Sequence, residues 1–292
     1  MAALDEIAAA ISHATGEAFQ PEAQHNAGGG CINQAFILAS GARRYFIKTN
    51  RAALAWMFEA EAEGLDEILK SRSLRAPQPI CHGTAGDTAY LALEYLELGG
   101  RGDPAEMGRQ LAAMHRNTAG QFGWKLDNTI GSTPQNNPWT QDWVEFLGKH
   151  RFGFQLELAA QNGLGNKLQK SGESLLARLG DFFRDYQPAP SLLHGDLWGG
   201  NADFTQSGEP VIFDPAIYFG DREADLAMTE LFGGFNSNFY SAYREAWPLD
   251  AGYSTRKTLY NLYHILNHAN LFGGGYIAQA ENMMQRLLSE IA

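Results

Sequence analysis

The sequence predicts an α+β fold in two lobes, an antiparallel sheet followed by a mainly helical region. Three observations predict it. Strand-like segments dominate up to Leu96, and helical periodicity dominates afterwards. A glycine cluster opens a β-hairpin whose return strand carries Lys48. Beyond residue 190, two turn-bounded segments bring Asp196, Asn201 and Asp214 together in sequence. The lobes are expected at 1–96 and 97–292, with a ligand cleft between them.

Residues 4–19 read as a short amphipathic helix. Gly28-Gly29-Gly30 then leads into the apolar run at 31–38, a tight turn at Ser40-Gly41, and the strand Arg44-Tyr45-Phe46-Ile47-Lys48. Residues 53–69 turn helical. Met57, Leu65 and Ile68 mark an apolar stripe, and Glu61 falls inside it. A carboxylate on a buried helix face needs a partner, and Lys48 is the candidate; the alternative is a solvated Glu61 at the edge of the stripe. Strands are expected at 79–83 and 88–96, joined by the turn Ala85-Gly86-Asp87. Asp103-Pro104-Ala105-Glu106 has the N-cap, first-turn proline and N3 carboxylate of a helix start, and that helix runs to about His115. Helical patterns also fit 138–161, 164–185, 221–232, 235–246, 255–270 and 278–291.

The 292 residues suffice for one large or two ordinary domains, and 45% hydrophobic content is that of a soluble globular chain. A net charge of -11 argues against nucleic-acid or anionic-membrane partners and is compatible with an amine-bearing substrate. There is no basic n-region at the start, no apolar run of membrane-spanning length, and no disulfide framework from two cysteines. A cytoplasmic protein is expected, monomer or homodimer.

His194-Gly195-Asp196-Leu197-Trp198-Gly199-Gly200-Asn201, followed by Val211-Ile212-Phe213-Asp214, carries the chemistry. The Asp-x-x-x-x-Asn spacing matches a kinase catalytic loop, and Asp214 stands where a kinase keeps its magnesium aspartate. Phosphoryl transfer from ATP needs such a set: one carboxylate to orient the hydroxyl and take its proton, and amide and carboxylate oxygens for Mg2+. A plain turn is the competing reading, because Gly, Asp and Asn cluster in turns. The upstream lysine strand and glycine loop match the phosphate-binding parts of the same machinery, with Glu61 as the lysine's partner. The segment ending at Glu94-Tyr95-Leu96, before Gly99-Gly100, then falls where adenine meets the hinge backbone.

With these pieces in order, the chain resembles the fructosamine kinase (ketosamine-3-kinase) family, including bacterial and protein-ribulosamine 3-kinase-like members. That family lies in the protein-kinase-like superfamily with the aminoglycoside and choline kinases. The resemblance rests on Gly28 to Asn33, Met57 to Glu61, Asn128-Thr129-Ile130-Gly131-Ser132-Thr133-Pro134-Gln135, His194 to Asn201, Phe213 to Ala216 and Gly220 to Met228. It implies ATP-dependent phosphorylation of the 3-hydroxyl of ketoamine sugars on small amines or protein lysines. Ribulosamines and erythrulosamines are favoured over fructosamines, and the amine is then released (deglycation). It implies Asp196 as base, Asn201 and Asp214 as Mg2+ ligands, and Lys48 with Glu61 on the ATP phosphates. Gly28, Gly29 and Gly30 line those phosphates, and Glu94 and Leu96 lie at the adenine hinge. The full Gly-x-Gly-x-x-Gly is missing and Pro215-Ala216 follows Asp214, which argues against a protein Ser/Thr kinase.

Trp198 stands either to stack on the sugar or to pack in the core. Asn267 and His268, with Asn270, are polar candidates for the acceptor pocket on the penultimate helix; a zinc site at His264 and His268 is the lesser alternative. Cys31, in the glycine loop, is a candidate redox thiol or a small loop filler. Asp221, Arg222 and Asp225 are expected as an ion and hydrogen-bond cluster behind the catalytic loop. Two other readings stay open: a kinase for another hydroxylated amine (aminoglycoside- or choline-like), and an inactive nucleotide-binding pseudokinase. The latter is opposed by the presence of all five machinery residues.

Overall fold

A computed structural model describes residues 2–27 and 32–291. Gly28, Gly29, Gly30 and Cys31 lie outside the described residues. The chain divides into two compact units, Met1–Asp103 with Ala202–Pro215, and Pro104–Asn201 with Ala216–Ala292.

The first unit begins with α1 (Ala2–Thr15), β1 (Ala23–Asn26), β2 (Gln34–Ser40), β3 (Arg43–Arg51), α2 (Ala55–Lys70), β4 (Pro79–Ala85) and β5 (Thr88–Glu94). The second unit takes up α3 (Pro104–His115), β6 (Asn128–Ile130), β7 (Thr133–Gln135), α4 (Trp143–Leu147), α5 (Phe154–Gln161), α6 (Asn166–Ala177) and β8 (Ser191–Leu193). The chain then re-enters the first unit for the hairpin β9 (Ala202–Phe204) and β10 (Pro210–Ile212). It finishes in the second with β11 (Tyr218–Gly220), α7 (Glu223–Leu231), α8 (Ser237–Ala246), α9 (Tyr253–Phe272) and α10 (Gly275–Glu290).

The five-stranded sheet runs in the order β1-β2-β3-β5-β4, with every neighbouring pair antiparallel. Residues 89–93 of β5 are all buried, the pattern of a strand covered on both faces. On one face, Ile7 and Ile11 of α1 cluster with Phe36, Leu38, Ile47, Tyr90 and Ala92. Ile47 lies opposite Ala92 and Lys48 opposite Leu91. Because side chains alternate along a strand, Lys48 faces away from α1. Helix α2 supplies its partner there. The buried residues of α2 include Phe58, Ala62, Leu65 and Ile68. Its apolar stripe therefore centres on Phe58 rather than on Met57, which is half-buried.

The hairpin β9–β10 is held to the first unit by backbone hydrogen bonds. Gly100 N–H donates to Phe204 O at 3.1 Å, Gln206 N–H to Glu97 O at 3.0 Å, and Ile212 N–H to Arg75 O at 3.0 Å.

In the second unit α9 runs through the core, with Leu259, Leu262, Ile265, Leu266 and Ala269 all buried. Helices α7 and α10 pack on it, and α3 packs on α8. The helix expected over 138–161 begins only at Trp143. Phe122 and Thr140 exchange backbone hydrogen bonds that hold the chain extended there, and Asp142 caps the helix by accepting from Glu145 N–H at 2.7 Å. Residues Gly148–Gly153 then form a π-helical segment between α4 and α5. The pattern over 164–185 splits into α6 and a 3-10 turn at Leu179–Phe183. Strand β1, between α1 and the glycine cluster, has no counterpart in the sequence reading, because its half-exposed to exposed residues show no apolar alternation.

Candidate active site

In the first unit the structure brings Lys48, Glu61 and Asp214 together. Lys48 Nζ donates to Glu61 Oε1 at 2.5 Å and to Asp214 Oδ1 at 2.6 Å. The Lys48 side chain is 8% exposed and that of Glu61 13%, whereas that of Asp214 is 49% exposed. Burial pulls the Lys48 ammonium down, and the two carboxylates more than reverse it, so its pKa rises above the ordinary value. Lys48 is therefore a fixed cation with two anionic partners, one enclosed and one open to solvent.

Asp214 reaches this position because β10 docks beside Arg75 and delivers the residues after Ile212 to Lys48. Its φ of 58° lies in the left-handed region, where Asp is tolerated better than most side chains. Such conformations cluster at ligand clamps and active sites.

Glu94 closes β5. Its amide donates to Gln78 O at 2.8 Å, and its carboxylate pairs with Arg75 and accepts from Gln78 N–H at 3.2 Å. Leu96 follows, half-buried, just before the segment held by β9. The side chain of Glu94 thus braces the strand end.

In the second unit the loop after β8 carries Asp196 and Asn201. Asn201 is buried, and its Nδ2 donates to Asp196 O at 2.8 Å and to Asp196 Oδ2 at 3.3 Å. This orients the Asp196 carboxylate and commits the nitrogen end of the Asn201 amide. Gly195 has a φ of 81°, and a Cβ there would come 2.1 Å from Ala216 O. Only glycine fits, because the loop lies directly against residue 216. His194 is fully buried and its Nδ1 accepts from Asp196 N–H at 3.3 Å, a structural role.

Behind this loop sits a buried polar frame. Asp225 Oδ2 and Oδ1 accept from His194 N–H at 2.6 Å and Gly195 N–H at 2.8 Å. His115 Nε2 lies 3.1 Å from Asp225, and its Nδ1 lies 2.8 Å from Tyr243 Oη, which accepts from Arg222 at 3.1 Å. The Tyr243 hydroxyl donates to Nδ1, so the His115 tautomer consistent with this network carries its proton on Nε2, facing Asp225. Burial pushes the Asp225 carboxyl up. The hydrogen bond from His115, the nearby His194 and the Gly195 amide outweigh it and hold the pKa below 3.8. Asp221 accepts from Tyr186 Oη at 2.9 Å and Tyr260 Oη at 2.5 Å, and Arg256 grips Glu223 through two hydrogen bonds of 2.7 and 3.1 Å. His115 was not singled out in the sequence, although Met107, Leu111 and His115 fall on one helical stripe and would have exposed a histidine on a buried face.

The acceptor-side candidates separate. Trp198 is 39% exposed, and its indole lies over Gly200, where a Cβ would come 2.3 Å from the ring. It meets Phe232 edge-on at 6.2 Å between centroids. His268 is half-buried among Phe232, Phe272 and Tyr276, with ring centroids 5.1, 5.6 and 5.1 Å away. Its Nδ1 sits 2.8 Å from His264 O. Asn267 is buried and both ends of its amide are used, on Ile130 O at 3.2 Å and Gln155 Nε2 at 3.2 Å. It ties α9 to β6 and α5. Burial, then the neighbouring His268, pushes the His264 pKa down to about 3, which keeps it a neutral core residue.

Side-chain oxygens are the donor type that Mg2+ prefers. Asp214 in the first unit and Asn201 in the second each carry a side-chain oxygen, and among the described residues no cluster of three or more His, Cys, Asp or Glu side chains could hold a metal. Magnesium is bound through one or two carboxylates plus substrate phosphates and water, not through a dedicated cage.

An antiparallel sheet bearing a Lys–Glu pair, followed by helices and an Asp…Asn loop, defines a kinase-like phosphotransferase fold. The choline kinase of Streptococcus pneumoniae shares it with a TM-score of 0.62 at 14% identity, over 99% of this chain and 98% of that one. A sequence profile of the fructosamine kinase family matches residues 3–290, and the chain belongs to that family. A protein assigned as a ketoamine kinase in Synechocystis sp. is 49% identical over 97% of this chain and 96% of its own length. The chloroplastic protein-ribulosamine 3-kinase of Arabidopsis thaliana is 44% identical over 94% of this chain and 85% of its own. A crystal structure of a protein assigned as a fructosamine-3-kinase from Haemophilus somnus superposes with a TM-score of 0.89 at 28% identity, covering 97% and 96% of the two chains. The protein is an enzyme, a kinase.

Proposed function

We propose that this kinase transfers the γ-phosphoryl group of ATP to the 3-hydroxyl of a ketoamine, with ribulosamines and erythrulosamines ahead of fructosamines. The observation that carries the kinase reading is Lys48 held between Glu61 and Asp214. The acceptor class is supported by the names of the relatives at 49% and 44% identity.

Lys48, oriented by Glu61, contacts the ATP phosphates. The resemblance assigns the glycine cluster Gly28-Gly29-Gly30 to the same phosphates. Asp214 and the Asn201 amide oxygen would hold Mg2+, which when bound neutralises charge on the phosphates. Asp196 orients the sugar 3-hydroxyl and accepts its proton as the new O–P bond forms and the bond to the β-phosphate oxygen breaks. The exposed face of Trp198 and the ring of His268 present an apolar face and a polar edge suited to a sugar. The adduct is carried on a small amine or a protein lysine, and the 3-phosphate then promotes release of that amine.

The test is ADP release with Mg2+ and ATP on ribuloselysine, erythruloselysine, fructoselysine, kanamycin and choline, with Asp196→Ala as control. Turnover on the ketoamines alone, greatest on the ribulosyl or erythrulosyl adduct, is expected. Turnover only on kanamycin or choline would replace the acceptor and keep the kinase.

A further inference from the structure

The segment Asn128 to Gln135 has no part in the chemistry above, yet its polar side chains are deeply buried. Asn128, Gln135 and Asn137 are 5%, 1% and 1% exposed. Three amides in that setting need partners for both ends. Gln135 Nε2 donates to Asn128 Oδ1 at 2.8 Å and to Ala216 O at 3.1 Å, while Gln135 Oε1 accepts from Tyr263 Oη at 2.8 Å. Asn128 Nδ2 donates to Ile217 O at 2.8 Å. Asn137 Nδ2 donates to Asn128 Oδ1 at 3.0 Å, and Asn137 Oδ1 accepts from Arg151 Nη2 at 2.6 Å. Each nitrogen end faces a carbonyl oxygen, so no amide can flip without losing a bond.

Arg151 anchors the far end. It is fully buried on the π-helical segment, with its guanidinium 4.6 Å from the Phe146 ring centroid and 4.2 Å from that of Tyr218. Tyr218 lies opposite Leu193 in the β8–β11 pair, at the root of the catalytic loop.

The near end of the chain of amides is Ala216. Its N–H donates to His194 O at 2.8 Å, and its carbonyl is the atom against which Gly195 is packed. Asp196 is thus gripped from two sides, by Asp225 on the amides of residues 194 and 195, and by residue 216 on the carbonyl of 194.

We infer that Gln135 is a positioning residue, which through Ala216 fixes the backbone that aims Asp196 at the acceptor hydroxyl. The inference rests on Asp196 being the base. Gln135 is buried, and both ends of its amide are used within the protein. It holds the second of two grips, and the Asn128–Asn137–Arg151 chain keeps its amide in the one orientation that donates to Ala216 O.

The experiment uses the full chain with Gln135→Met, which keeps length and removes the donor and the acceptor. Steady-state kinetics should show kcat lowered about 10- to 100-fold, the size expected when a catalytic group is misplaced by about 1 Å. KM for ATP and for the ketoamine should stay within about threefold. Hydrogen exchange of the peptide covering residues 192–198 should accelerate. Met284→Ala, in the buried face of α10, is the stability control: it should lower the melting temperature and leave kcat and that peptide unchanged. If Gln135→Met fails to fold, Tyr263→Phe removes only the hydroxyl that holds Gln135 Oε1, and should move kcat and exchange in the same direction by less. Unchanged kcat with unchanged exchange in the folded variant overturns the inference. So does a kcat loss matched by Met284→Ala. The exchange measurement needs no acceptor, so it decides the clamp even if wild-type enzyme turns over no ketoamine.

Discussion

Two groups of buried charges make a useful contrast. In the first unit one cation, Lys48, faces two carboxylates, and one of these is half exposed in a left-handed backbone conformation. In the second unit Asp225, Asp221, Glu223, Arg222 and Arg256 lie almost wholly out of solvent, each with several partners. Buried charges are tolerated only when paired and hydrogen-bonded. The second group meets that condition in full and is built to stay as it is. The first leaves the Asp214 carboxylate half open to solvent beside its lysine. Redundant partners mark scaffold, and a shared, half-open partner marks chemistry.

The contrast breaks most severely at the loop that the scaffold carries. Asp196→Asn should lower kcat about 10²- to 10⁴-fold, the usual contribution of a positioned acid–base group. Circular dichroism and the melting temperature should stay near wild type. Full activity in that variant would remove Asp196 from the reaction.

Lys48→Met sharpens the comparison from the other side. It should abolish most turnover and also destabilise the fold, because Glu61 is left buried without its cation. The double variant Lys48→Met/Glu61→Gln should recover the melting temperature without recovering activity. Recovery of activity would show that the pair is structural only.

These two tests also separate what could be read from the sequence. The Lys48–Glu61 contact was legible because strand alternation and helix periodicity each fix a face locally. Asp214 beside them was legible only through motif resemblance. Its placement depends on a hairpin that pairs with residues over 100 positions earlier, which no local pattern encodes. The frame around His115 and Tyr243 was hidden for the same reason: their partners come from separate helices. Asn267 is a polar residue on a helix face, but polarity alone does not tell a pocket-facing amide from one satisfied internally.

Asp225→Asn should cost about 3 kcal/mol of stability at neutral pH, the upper end for losing hydrogen bonds to a charged group. The pH dependence has a defined sign. A carboxyl whose folded pKa lies below its ordinary 3.8 stabilises fully above that value and loses the contribution as pH falls through the folded pKa. The urea midpoint of wild type should therefore drop below pH 3.8 more steeply than that of Asp225→Asn. Parallel curves would mean that Asp225 does not carry the acid sensitivity.

The smallest effect belongs to Tyr260→Phe. It removes one of two tyrosine hydroxyls from Asp221, while the Tyr186 hydroxyl and the Glu223 amide remain. A loss of about 1 kcal/mol with unchanged kcat is expected. A large loss of turnover would move Asp221 from scaffold to chemistry.

The most direct measurement is phosphorus–proton correlation NMR on the product of wild-type enzyme, ATP and Mg2+ acting on ribuloselysine. The account predicts a single phosphorus signal coupled to the proton on sugar carbon 3. A phosphorus coupled to any other sugar position, or no sugar phosphate at all, would contradict it.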